Sequence, residues 1–122
     1  MPPSNPVEIV TAWVAAANAQ DIERLIALSD PAIEVGGPRG SGKGSQLLRD
    51  WLGRAGLTME TLRTFARGET VVLEQRGVWR SQETGEVTGE RPLASLFVVD
   101  GQRVIKFMRY DGVDEALAAT GL

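Results

Sequence analysis

Glu74, Arg76 and Tyr110 are the side chains best suited to carry chemistry in this sequence. The 122 residues include no histidine and no cysteine. That removes the commonest general base, the thiol nucleophile and the usual transition-metal ligands. Proton transfer or substrate binding falls instead to Asp, Glu, Lys, Arg, Tyr or a hydroxyl. Glu74 and Arg76 lie two apart in TVVLEQRGVWR, residues 70–80, so on a strand they share a face with Val72 and Val78. If that face points into a pocket, the carboxylate can act as a weak base or hold a polar substrate group. The adjacent cation lowers its proton affinity, which weakens the base. The competing reading is a structural ion pair or a solvated sheet face. Tyr110 can donate a hydrogen bond to a developing oxyanion. Its neighbour Arg109 can clamp an anionic ligand. The two alternate across a strand, so only one of them faces inward. The alternative is that Asp111 caps a helix while its neighbours pair across the sheet or a dimer interface.

Candidate ligand-binding residues are Trp13, Arg39, Trp51 and Arg109. Arg39 stands between Pro38 and Gly40. With Lys43 it could form a small anion site at a pocket mouth, or it could be solvent-exposed. Trp13 and Trp51 lie on apolar helix faces, where core packing competes with a pocket-lining role. Trp79 alternates with Arg76. With Arg76 inward, Trp79 points outward and anchors a dimer interface.

Gly37, Gly42 and Lys43 fit the spacing of a phosphate-binding loop, G-x-x-x-x-G-K-[ST]. The next residue, however, is Gly44, which displaces the magnesium-binding hydroxyl to Ser45. The strands that follow read as antiparallel hairpins, whereas such loops sit in parallel βαβ sheets. Both grounds argue against nucleotide hydrolysis. The stretch reads instead as a flexible connection whose glycines supply unusual backbone angles.

These residues must be positioned by an ordered set of elements. Asn5 caps a first helix, with Pro6 in its first turn and Val10, Trp13, Val14 and Ala17 at helical spacing. Asp21 caps a short second helix that Asp30-Pro31 ends. Residues 32–35 suit a short strand. Ser45 caps a third helix carrying Leu47, Leu48, Trp51 and Leu52, ended by Gly53 or Gly56. Strands are expected over 58–67, 70–80, 93–99 and 103–110, with Asp100-Gly101 as a hairpin turn. The near-continuous apolar run LASLFVV predicts a strand covered on both faces. A short final helix follows Asp111. Helices first and a meander after give one α+β domain over 1–122, with the helices packed on one sheet face.

The charge of -3 gives no general attraction for nucleic acid or anionic membranes. MPPSNPVEIV carries neither a basic flank nor a long apolar run, so a soluble, cytoplasmic protein is expected. No metal or cofactor is expected.

Four segments resemble the SnoaL-like branch of the nuclear transport factor 2 superfamily. They are VTAWVAAANAQDIERLIALSDPAIEV, GPRG leading into GSQLLRDWL, ETGEVTG, and DGQRVIKFMRYDGVDEAL. The resemblance implies a cone in which a curved, mainly antiparallel sheet wraps N-terminal helices around an internal small-molecule pocket. It implies a homodimer through the outer sheet face. It also implies that the glycine-rich loop sits at the pocket side without binding nucleotides. Ketosteroid isomerase-like relatives place a carboxylate base where this chain has Val35. Limonene epoxide hydrolase-like relatives use an Arg-Asp pair and a second Asp. Arg76 matches the arginine, while Val78 and either Met108 or Arg109 replace the acids. No counterpart of the cyclases' acid-base carboxylate is identified. Two functions follow as expectations: a pocket enzyme for isomerisation, cyclisation or hydrolysis of a small organic molecule, or a non-catalytic ligand-binding or dimeric interaction module.

Overall fold

A computed structural model of the chain describes residues 5–37 and 40–121. Arg39 lies outside the described residues. The elements are α1 (Pro6–Asn18), α2 (Ile22–Ala27), β1 (Ser29–Gly37), β2 (Gly40–Lys43), α3 (Ser45–Ala55), β3 (Leu57–Arg67), β4 (Thr70–Arg80), β5 (Val87–Asp100), β6 (Arg103–Tyr110) and α4 (Val113–Thr120). All six strands form one sheet in the order β2-β1-β6-β5-β4-β3. The pairings are antiparallel except for β1 with β6, which is parallel. No helix of the described residues is long and apolar enough to cross a membrane.

Local chemistry accounts for most boundaries. The Asn5 side chain accepts the Glu8 amide and opens α1, and Asp21 accepts the Arg24 amide at α2. At the end of α1, Asn18 turns its amide onto β3. It donates to the Met59 carbonyl and accepts from the Met59 amide, both at 2.9 Å, so helix and strand are tied by a side chain acting as a strand edge. Two expected caps move by one residue. Gly44, not Ser45, precedes α3, and Gly112, not Asp111, precedes α4; neither makes a side-chain cap bond.

The glycine-rich stretch is a strand rather than a flexible connection. Glu34 to Gly37 pair with Lys43 to Gly40 as a hairpin. Glycine has low strand propensity, so the sequence disguises an element held by its backbone ladder. Lys43 therefore sits in an antiparallel ladder, not at the mouth of a phosphate loop.

Helices α1, α2 and α3 cover one face of the sheet. Their shared core joins Ile9, Val10, Trp13, Leu25, Leu48 and Leu52 to Met59, Val71, Leu73, Phe97 and Phe107. Trp13 is at its centre with no exposed surface. Its ring lies 4.7 Å from Phe107, 5.2 Å from Phe97 and 6.3 Å from Trp51, centre to centre. Its Nε1–H donates to Ser29 Oγ (2.9 Å), which donates to the Leu25 carbonyl (2.7 Å). On the opposite face, α4 packs Ala116 and Leu117 against Val72, Ala94, Leu96 and Tyr110. Residues 93–99 of β5 are thus covered on both sides, whereas residues 87–92 are largely exposed.

Ser29→Ala leaves the buried Trp13 N–H without an acceptor and should cost about 1–3 kcal/mol in chemical denaturation. In Trp13→Phe the donor is already gone, so the same Ser29→Ala change should cost clearly less. A double-mutant cycle with additive losses would remove this hydrogen bond as a coupling term.

Candidate functional site

A half-open cleft of about 510 Å³ lies between the β1–β2 hairpin, α3 and β6, with Val35, Gly37, Leu47, Trp51, Phe107 and Arg109 among its lining residues. Its origin is the period-two alternation of strands. Val35 pairs with Phe107 and with Gly42, and Gly37 pairs with Gly40. On this face of the hairpin, glycine stands where larger residues would fill the space against α3. At Gly37 an added Cβ would meet only the Arg109 carbonyl, at 3.8 Å, so the volume above it is open. The aromatic wall continues the core, since the Trp51 and Phe107 rings are 5.3 Å apart.

Arg109 brings the positive charge. Two residues beyond Phe107 on β6, it faces the same way, and its guanidinium also stands 5.9 Å from the centre of the Trp79 ring. The described lining holds one hydroxyl residue, Ser41, and no carboxylate. Among the described residues no group of three or more acids could hold a metal ion.

The candidates chosen from sequence separate in space. Trp51 and Arg109 line the cleft. Trp13 is sealed in the core beneath it. Tyr110 points to the other face and packs with α4. Glu74 and Arg76 are also on that outer face, because Leu73, Gln75 and Trp79 take the inner one. Glu74 accepts a two-point ion pair from Arg63, at 2.6 Å and 3.0 Å. Arg76 bridges Glu60 (3.3 Å) and Glu90 (2.8 Å). The expectation that Trp79 points outward is therefore corrected: it packs against the inner core.

Beneath the inner face, Ser95 Oγ donates to Gln75 Oε1 (2.7 Å) and Gln75 Nε2 donates to Thr61 Oγ1 (3.3 Å). This ladder satisfies the buried Gln75 and Ser95 inside the sheet and does not reach the cleft lining. The sequence reading missed Phe107, Leu47 and the glycines. Phe107 was within reach, because it alternates with Arg109.

No family model and no curated protein matches the sequence. Solved structures do match the fold. A nuclear transport factor 2-like protein from Burkholderia pseudomallei aligns with TM-score 0.74 at 14% identity, covering 95% of this chain and 97% of its own. A putative polyketide cyclase from Xanthomonas campestris pv. campestris aligns with TM-score 0.74 at 19% identity, covering 93% and 94%. The chain has the nuclear transport factor 2-like fold. A hypothetical protein with a ketosteroid isomerase-like fold from Catenulispora acidiphila, solved in complex with trimethylamine, aligns with TM-score 0.72 at 20% identity, covering 100% and 95%. The α+β cone implied by the sequence resemblance is thus shared across the whole chain, with no activity attached.

Glu74 offers a direct check on the outer-face assignment. The hydrogen bond and charge of Arg63 hold its carboxyl below the ordinary value, and Glu74 raises the Arg63 guanidinium in return. A depressed carboxylate contributes stability above its unfolded pKa and loses it as pH falls through the folded one. Arg63→Gln should raise the Glu74 pKa toward the ordinary glutamate value in an NMR titration, while Arg109→Gln should leave it unmoved. A Glu74 that responds to Arg109 instead would place it on the cleft side.

Proposed function

We propose that this chain is a small-molecule binding protein of the nuclear transport factor 2-like fold. Its cleft takes a ligand with a flat apolar body and an anionic end. One observation carries this reading: Trp51 and Phe107 wall a cleft in which Arg109 is the charged side chain and the described lining has no carboxylate. A cleft of this size, largely apolar with few polar groups, has the makings of a ligand pocket. Aromatic rings accept a flat body, and a guanidinium binds a carboxylate or phosphate through two parallel bonds.

The same lining argues for binding above acid-base turnover. A general base must come within hydrogen-bond reach of the proton it removes. Glu60, Glu74 and Glu90 each face an arginine on the outer sheet face. The isomerase, cyclase and hydrolase readings lack a positioned carboxylate among the described lining residues. Pairing of two copies through the outer sheet face would have to use the part that α4 leaves open, near Leu62, Arg76 and Pro92.

The test uses 1-naphthoate and the uncharged 1-naphthylmethanol as probes, followed by NMR on the Val35 and Leu47 methyls. Both should shift those signals. Arg109→Gln should weaken naphthoate by about 1.5–3 kcal/mol and leave the alcohol unchanged. Gly37→Leu has room for its Cβ and carries a side chain into the cleft. It should fold with a near-native melting temperature and lose both probes. Wild-type affinity in Gly37→Leu, or shifts confined to another surface, would overturn the cleft as the binding site.

A further inference from the structure

Leu47 is a large apolar side chain left 39% exposed at the cleft it lines. The helix that carries it divides its apolar residues between two tasks. Leu48 and Leu52 are sealed in the core, whereas Leu47 and Trp51 stand one turn apart on the cleft side. Core packing therefore does not account for Leu47. What it rests on is Gly42 of β2, where an added Cβ would lie 2.6 Å from Leu47 Cδ1. The leucine occupies the place that a side chain on β2 would otherwise take. Gly42 has no left-handed φ, so the glycine serves here to give room and not to permit a turn.

Strand register relates this contact to the rest of the cleft. Gly42 pairs with Val35, and Val35 pairs with Phe107. Leu47 thus stands over one end of a cross-strand row whose other end is Phe107. Arg109 lies two residues beyond Phe107 on β6, with its carbonyl beside Gly37. The path from Arg109 to Gly42 therefore runs two strands across and two residues along, a diagonal of about 12 Å. Val35 and Gly37 floor that diagonal, and Leu47 stands at its far end.

We infer that Leu47 is the size-determining residue of the cleft, an end-stop that limits the flat apolar body to the length of a naphthalene when the acid end lies at Arg109. The inference rests on the cleft reading above and deepens it by naming the length of ligand accepted. A longer body must displace Leu47 or give up Arg109. Gly42 is the positioning residue, because a Cβ at that site would drive the leucine off the floor of the cleft.

The experiment compares 2-naphthoate with anthracene-2-carboxylate, which adds one ring in line, by NMR titration of the Val35 methyls on the full chain. The wild type should bind the shorter probe about tenfold or more tightly, as expected when an apolar body overfills its pocket. Leu47→Ala should fold, because the side chain is partly exposed, and should bring the two affinities within about threefold by tightening the longer probe. Leu47→Met, of similar volume, should keep the wild-type preference. Gly42→Ala should change the preference while Leu47 is present and leave it unchanged in Leu47→Ala. Equal affinities in the wild type, a preference that survives Leu47→Ala, or a Gly42→Ala effect that persists without Leu47 would overturn the end-stop. In each of those cases, naphthoate shifts at Val35 would leave the cleft itself standing. If neither probe shifts Val35, both readings fall.

Discussion

The buried indole of Trp13 is the interaction on which the rest of this structure depends. A tryptophan with no exposed surface must find an acceptor for its N–H inside the protein. Here that acceptor is Ser29 Oγ, at the first residue of β1, and Ser29 in turn donates to the end of α2. One hydrogen-bond chain thus fixes α1, α2 and β1 together. The faces of the same ring meet Trp51 of α3, Phe97 of β5 and Phe107 of β6. The cleft is what remains beyond this cluster. Trp51 and Phe107 belong both to the packed core and to the wall, so the aromatic surface offered to a ligand is rigid because Trp13 backs it. A preorganised wall loses little freedom on binding, which favours affinity for flat molecules.

Which charged residues reach the cleft is decided by strand parity. On β4 the alternation places Leu73, Gln75 and Trp79 on one face and Glu74 and Arg76 on the other. This was legible in the sequence. Two charges mark the face toward solvent, and a one-residue change of register would bury both. The match of Arg76 to an epoxide hydrolase-like arginine pointed the other way, and parity outweighs it. On β6 the apolar partner Phe107 identifies Arg109 as inward and Tyr110 as outward in the same manner. The helix order, the α+β class, the β5–β6 hairpin turn and the caps at Asn5 and Asp21 were likewise readable, because each depends on local side-chain chemistry.

What could not be read was built from backbone alone. Strand β2 is Gly-Ser-Gly-Lys, a sequence without strand propensity, and it exists because β1 offers a free ladder edge. The resulting hairpin arm has little bulk on its inner face, and that missing bulk shapes the cleft. The glycines that resemble a phosphate loop thus have a different physical role. They leave the cleft open beside α3, where a phosphate loop would gather amide N–H groups around an anion. Asn18 escaped prediction for a similar reason. Its partner, Met59, is 41 residues away, and no local pattern announces such a contact.

The separation of charge across the sheet also bears on function. On the outer face, Glu60, Glu74 and Glu90 meet Arg63 and Arg76 in ion pairs that water screens and that contribute little each. On the inner face the half-buried Arg109 lines the cleft, with its guanidinium 5.9 Å from the centre of the Trp79 ring. A half-buried cation beside apolar walls interacts more strongly with an incoming anion than the same cation in bulk water, because the local dielectric is lower. The sheet therefore works as a partition. Among the described strand residues, Glu60, Glu74 and Glu90 lie on one side with their arginine partners, and Arg109 lies on the other. Under the proposed binding role, an anionic, flat molecule would meet Trp51, Phe107 and Arg109, which line the cleft.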